Sequence, residues 1–142
     1  MLKSVVIAFG LASTALMASG ASAQSINTRA VAQEASELGR EAAELSQVAR
    51  SAREQSVREL ANDAYQLSVA ASQLYSSAIG VCGRSAPDYL IAQQVESTCA
   101  AIERTVQEID YLPPGCDFRL AEIANALREA NAGLHAAAGV FE

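Results

Sequence analysis

Apolar residues recur along this chain at alternating steps of three and four, which is the spacing of one face of an α-helix. One such series runs from Val31 to Ala52, and a second runs from Leu60 to Ala78. Two further series run from Ile91 to Ile109 and from Leu120 to Phe141. The pattern therefore predicts an all-α protein built from amphipathic helices.

The first two series are out of step by one residue between residues 52 and 60. Such a slip indicates either a local unwinding within one long helix or a junction between two helices. The segments Ser51–Glu54 and Ser56–Glu59 have the Ser-x-x-Glu spacing of a capping box, which favours a new helix. The absence of Gly and Pro from residue 40 to residue 79 favours a continuous one.

The later helix boundaries are clearer. Ser85 is the predicted N-cap of the third helix, with Pro87 in its first turn, and the two prolines at 113 and 114 end that helix. A junction at residues 51–56 divides the chain into four helices of about 25 residues, which predicts an antiparallel four-helix bundle. The alternative is one helix of about 50 residues, roughly 75 Å long, with a C-terminal helical hairpin folded onto part of it. That helix would be partly uncovered and is expected to dimerise.

The N-terminus has the pattern of a secretory signal peptide. Lys3 supplies positive charge, Val5–Met17 is an apolar run, and small residues precede a cleavage site between Ala23 and Gln24. A membrane-spanning helix needs about 17 to 25 apolar residues, and this run is shorter. We therefore predict that residues 1–23 are cleaved and that no transmembrane span remains.

Residues 24–142 then form a single helical domain, located in the periplasm or secreted. This domain contains no lysine and has nine arginines against sixteen acidic residues, a formal charge of −7. An acidic surface argues against nucleic-acid binding and is compatible with a cationic protein partner. Only 26 of its 119 residues are Leu, Ile, Val or Phe. This fraction is close to the lower limit for stable folding, so a disulfide, a partner or a homodimer is expected to add stability.

Three cysteines, Cys82, Cys99 and Cys116, would meet an oxidising compartment after export. Cys99 is in the middle of the third helix, about 18 Å from either end. The extended segment after Cys82 spans roughly 17 Å and can reach back to it, which favours a Cys82–Cys99 disulfide. Such a bridge would contribute on the order of 3 kcal/mol. Cys116 would then be unpaired or form an intermolecular bond.

Signatures of catalysis, cofactor binding and metal binding are missing from the sequence. His135 is the single histidine, and no CxxCH, GxSxG or HExxH motif occurs. Glu37, Glu41 and Glu44 share a helix, but the Glu-x-x-His element of carboxylate metal sites does not accompany them, so we interpret them as a solvated face. We expect no catalytic, cofactor-binding or metal-binding residues. The tyrosines are expected to pack between helices: Tyr65, Tyr75, Tyr89 and Tyr111.

These features predict an exported helical interaction or scaffold protein, an accessory subunit of an envelope or secreted assembly that acts by protein–protein contact and not as an enzyme. An alternative is a carrier that binds a lipid or cofactor inside the helical bundle. A third hypothesis is a thiol-redox protein that acts through an unpaired Cys116 near the start of the last helix, where the adjacent Asp117 opposes activation of the thiol.

Overall fold

The structure is a computed structural model that describes residues 26–80, 84–112 and 118–139. Four long helices and one short helix account for most of these residues, and they confirm the predicted all-α four-helix bundle. The helices are α1 (Thr28–Ser51), α2 (Gln55–Arg58), α3 (Leu60–Ile79), α4 (Asp88–Asp110) and α5 (Phe118–Ala137). The predicted signal peptide, with Ala23 and Gln24 at its cleavage site, is outside the described residues.

Consecutive long helices run antiparallel and close into a ring. Helix α1 packs against α3 and α5, and α4 packs against the same two helices, so α1 lies diagonally opposite α4. The two ends of the described chain meet, because the Asn27 amide donates to the Ala137 carbonyl oxygen at 2.9 Å. The Asn27 side chain also accepts a hydrogen bond from the Ala30 amide, which caps the first turn of α1.

The chain breaks between α1 and α3, where the sequence left two alternatives open. Helix α1 ends at Ser51, and Ala52 has extended backbone angles of φ −74° and ψ 151°. The Arg58 guanidinium holds the turn, since its Nη1 donates to the carbonyl oxygens of Ala52, at 3.2 Å, and of Arg53. The alternative of one long, continuous helix is therefore wrong.

The break also explains the slip in the apolar pattern. An uninterrupted helix would place Ser56 on the inner face, whereas the structure exposes Ser56 and buries Val57, which is 3 % exposed. The predicted capping boxes do not form at this junction. Glu54 and Glu59 are themselves the N-cap residues of α2 and α3, and neither makes a side-chain capping hydrogen bond.

A side-chain hydrogen bond shows that the predicted N-cap of α4 was wrong. The Ser85 hydroxyl donates to the Ala78 carbonyl oxygen near the end of α3, at 2.5 Å. Because this bond ties Ser85 to the preceding helix, Ser85 is not the N-cap of α4. Pro87 occupies that position, and the helix begins at Asp88.

Buried alanine and larger buried residues are distributed unevenly among the helices of the core. Of the 29 buried hydrophobic residues in the described part of the chain, 11 are alanine, and all of these lie in α1, α3 or in and just after α5. Helix α4 instead buries Ile, Val and Thr side chains together with Cys99. Small residues allow close packing of helices. At the α1–α3 contact, a Cβ atom added to Gly39 would lie 3.8 Å from the Ala71 Cβ.

Candidate interaction surface

Of the three cysteines predicted as site residues, Cys99 lies in the described part of the chain. Cys99 lies on the inner face of α4 with 3 % exposure, and its Sγ is 4.0 Å from the Asn131 carbonyl oxygen of α5. Cys82 and Cys116 are outside the described residues. The Cys82–Cys99 disulfide and the unpaired or intermolecular state of Cys116 therefore stay predictions.

The acidic residues of α1 lie on its outward side, beside α5. Glu37 and Glu44 are exposed, and Glu41 is partly exposed. Burial raises the pKa of Glu41, the Glu44 carboxylate raises it further, and the Arg40 guanidinium partly opposes the increase. Within the described ranges, no group of three or more His, Cys, Asp or Glu side chains could hold a metal ion.

His135 is in the last turn of α5 and is partly exposed. Its Nδ1 atom is buried and makes no hydrogen bond to the described residues.

Two carboxyl groups meet where the start of α3 packs against the end of α4. Asp63 and Glu108 share a side-chain hydrogen bond, which, with burial and the charge of Asp63, raises the pKa of Glu108 to about 7. The Arg104 guanidinium opposes this increase, and the Glu59 carboxylate adds to it. Glu108 is exposed, and the pair lines none of the three grooves described below.

Among the surface grooves of the described residues, three lie between helices or beside the α1–α2 turn. Their volumes are about 150 Å³ between α3 and α4, about 250 Å³ between α1 and α3, and about 240 Å³ beside the α1–α2 turn. Sites that enclose a drug-sized ligand measure about 300 to 1,000 Å³. None of these three grooves reaches that size, so none supports the alternative of a lipid or cofactor carrier.

Helix α3 exposes an unusual set of side chains. Along its outer side run Tyr65 with 64 % exposure, Val69 with 37 %, Tyr75 with 41 % and Ile79 with 48 %. Three serines lie between them. We call these seven residues the contact face of α3: Tyr65, Ser68, Val69, Ser72, Tyr75, Ser76 and Ile79.

The prediction that the tyrosines pack between helices is wrong, because all four tyrosine side chains are exposed. Tyr65 and Tyr75 each follow a buried residue, Ala64 and Leu74, so the helical turn rotates them away from the core. The other two tyrosines are also exposed, Tyr89 in the first turn of α4 and Tyr111 directly after that helix. The sequence could have shown that all four tyrosines lie outside the core, because none of them occupies a position in an apolar series.

Charge separates the contact face from the rest of the surface. Asp63 is the only charged residue of α3, and the stretch from residue 64 to residue 83 includes none. Helix α4, by contrast, carries six charged residues, five of them acidic. Solvent-exposed helix faces normally carry charged side chains, and among the four long helices of the described chain α3 has the fewest charged residues.

The groove between α1 and α3 extends the contact face sideways. It is lined on the α1 side by Ser36 and Gly39 and on the α3 side by residues that include Ser72 and Tyr75. All of its lining residues are uncharged, and most are small. A side chain from another protein can therefore enter the groove without displacing a charged group.

No helix within the described part of the chain is both long enough and apolar enough to cross a membrane. Compared with known proteins, the chain matches no family model, no curated protein and no solved structure.

Proposed function

We propose that this protein is exported and acts by protein–protein contact, with the contact face of α3 as its binding surface. The single observation that carries the proposal is the combination of four exposed large side chains, Tyr65, Val69, Tyr75 and Ile79, with a complete lack of charge from residue 64 to residue 83. Protein interfaces are depleted of charge at their centres and enriched in tyrosine. Truncating such tyrosines often causes a large loss of binding energy.

The position of the face on the bundle also favours binding to another protein. Helix α3 is held on its inner side by α1 and α4, so its outer side is presented by a rigid element. A preformed surface loses little conformational entropy on binding. This arrangement corresponds to recognition through a helical face, in which residues three and four apart provide the anchors.

The remaining surface would influence which partner is bound. Residues 24–142 have a formal charge of −7, and carboxylates on α1 and α4 surround the bundle. These charges would favour a cationic partner over an acidic one, except at the uncharged contact face, where an acidic chain can also approach. In this proposal the protein is not an enzyme, and the leader in residues 1–23 delivers it to the periplasm or the medium.

The proposal can be tested by placing a photo-crosslinking amino acid at single positions in the full chain, expressed in its source cells. The aromatic p-benzoylphenylalanine resembles tyrosine, so it should replace Tyr65 or Tyr75 with little disturbance. Matched controls replace Gln33 on α1 and Gln107 on α4, which are also exposed. We expect discrete protein adducts from positions 65 and 75 and none from 33 and 107. A lack of adducts at 65 and 75, or equal labelling at all four positions, would contradict the proposal.

A further inference from the structure

The contact face has an internal symmetry centred on Ser72. Its seven members stand at −7, −4, −3, 0, +3, +4 and +7 relative to that residue. Placing a second α3 against the first in the opposite direction, with Ser72 at the centre, pairs the members in order. Tyr65 faces Ile79, Ser68 faces Ser76, and Val69 faces Tyr75.

This pairing is the arrangement that a two-fold dimer requires. In such an interface residue i of one copy contacts residue j of the other, and residue j contacts residue i in return. Each large side chain, Tyr65 or Val69, then meets another large side chain, and the serines meet serines. The small Ser72 at the axis allows the axes of the two helices to approach to roughly 8 Å, the close end of the usual range for packed helices.

Charge singles out the same surface for a second copy. Two copies of a chain with formal charge −6 as a whole, or −7 without its predicted leader, repel each other. Contact through α1 or α4 would also bring like charges close together, which costs affinity. The stretch from residue 64 to residue 83 has no charges, so two acidic copies can approach there without bringing like charges into contact.

We infer that the partner bound by the contact face is a second copy of this chain, in an antiparallel, two-fold dimer with its axis at Ser72. This inference rests on the proposed function and names the partner for the same surface. The contact face runs from Tyr65 to Ile79, about 21 Å along the helix axis. A strip of that length and about 12 Å wide, the diameter of a helix with its side chains, covers roughly 250 Å² per copy, well below the roughly 800 Å² of a standard interface. The dimer is therefore expected to be weak and reversible.

Sedimentation equilibrium of the exported protein, at concentrations from about 1 to 300 µM and with its free thiols alkylated, tests the inference. Wild-type protein should change from monomer to dimer across this range. Val69→Glu places a carboxylate in the interface twice and should raise the dissociation constant roughly 100-fold. Ala121→Glu adds the same charge on an exposed position of α5, diagonally across the bundle, and should leave the dissociation constant within about 2-fold.

A mixing experiment then tests the register. Tyr75→Arg alone should also disrupt the dimer, but an equimolar mixture of Val69→Glu and Tyr75→Arg should associate again. In the antiparallel register the carboxylate introduced at position 69 of one copy faces the guanidinium introduced at position 75 of the other. The second contact, between Tyr75 of the first copy and Val69 of the second, stays wild-type. A mixture of Val69→Glu and Val69→Arg should remain monomeric. Rescue of this second mixture instead of the first would overturn the antiparallel register. Circular dichroism of each variant confirms that it is folded.

The outcomes separate this inference from the proposed function. A wild-type chain that stays monomeric to 300 µM overturns the dimer. If photo-crosslinking at positions 65 and 75 then yields adducts with a different protein, the contact face still binds a partner and only its identity was wrong. If crosslinking yields no adducts either, both the inference and the proposed function fail. Adducts with twice the mass of the chain, from positions 65 and 75 alone, support both.

Discussion

Helices α3 and α4 are neighbours of similar length, with 20 and 23 residues, yet they differ on both of their faces. On the inner side, α3 alternates Leu and Ala, whereas α4 buries mainly Ile, Val and Thr. On the outer side, α3 has a single charged residue near its start and α4 has six along its length. The two helices belong to one core, but α4 carries charged residues from its first turn to its last, whereas α3 carries one near its start.

In the proposed function, this difference corresponds to a division of two tasks between the helices. Alanine on the inner side of α3 brings it close to α1 but contributes less buried apolar area than leucine would. The charged outer side of α4 keeps the protein hydrated, while the uncharged outer side of α3 is available for contact. In this account a bound partner buries apolar surface on the outer side of α3, and this burial compensates for the small apolar area that alanine buries on its inner side.

The largest difference in the free energy of unfolding is expected between substitutions on the inner and outer sides of α3. Leu67→Ala removes a side chain that is 1 % exposed and should lower the free energy of unfolding by about 2 to 5 kcal/mol. Tyr65→Ala, two residues earlier on the outer side, should change it by less than about 0.5 kcal/mol. Urea unfolding at low micromolar concentration, where the monomer dominates, measures both. Similar losses in the two variants would show that the contact face stabilises the fold instead of binding a partner.

A second test adds volume to the same helix. Ala71 is 1 % exposed and faces α1 close to Gly39, so Ala71→Leu should overpack the contact and cost about 1 to 3 kcal/mol. Ala70 is partly exposed and lines the groove of about 150 Å³ between α3 and α4. Ala70→Leu should be tolerated, with a change below about 1 kcal/mol. An equal cost for both variants, measured by thermal unfolding, would mean that α3 is not packed more closely against α1 than against α4.

The pH dependence of stability tests the place where the single charge of α3 meets the charges of α4. The pKa of Glu108 rises from 4.5 to about 7 in the folded protein, so folding favours the protonated carboxyl. This group therefore lowers the stability progressively as pH rises from about 4.5 to 7, and its effect is constant above that range. Glu108→Gln keeps the hydrogen-bonding shape without the charge and should raise the melting temperature at pH 8. It should leave the melting temperature nearly unchanged at pH 4.

The control for this prediction is Glu96→Gln, which removes a charge from an exposed position of α4 far from Asp63. It should change the melting temperature similarly at both pH values. If Glu108→Gln behaves in the same way as this control, the carboxyl pair with Asp63 does not form in solution.

The smallest effect is expected from the outer charges of α4. Arg128 of α5 donates to the Asp110 carboxylate at 2.7 Å, but the two side chains are 48 % and 53 % exposed. Arg128→Ala should therefore cost less than about 1 kcal/mol, and the cost should shrink in 1 M NaCl. A loss of several kcal/mol in chemical denaturation would mean that the charges around α4 stabilise the fold itself, against the division of tasks described above.

Periodicity alone predicted most of the fold, because helical spacing depends only on which residues are apolar. It placed Leu38, Leu67 and Ile102 in the core, where all three are almost completely buried. The junction at residues 51–56 was left open since it depends on Arg58, whose side chain binds carbonyl groups of the turn. No short sequence pattern records such a contact.

The contact face was harder to predict, because the tyrosines were assigned to the core by residue type instead of by position. Tyr65 and Tyr75 are adjacent to buried residues in sequence and point away from them in the helix. The uncharged stretch from residue 64 to residue 83 was visible in the sequence, but it becomes informative only once the other side of α3 is known to be packed. Similarly, Ser85 resembled a helix cap until the structure placed its hydroxyl on the Ala78 carbonyl oxygen.

Pulsed electron spin resonance on the full exported chain tests the central claim most directly. A spin label attached through a non-natural amino acid, which leaves the cysteines intact, is placed in separate samples at Asn62, Gln66 or Gln73, which are exposed on α3 beside the contact face. The antiparallel dimer predicts the shortest distance between copies for position 73. The distance should be longer for position 66 and longest for position 62, with separations along the helix axis of about 3, 18 and 30 Å. The lack of any distance between copies at about 300 µM, or equally short distances at all three positions, would contradict it.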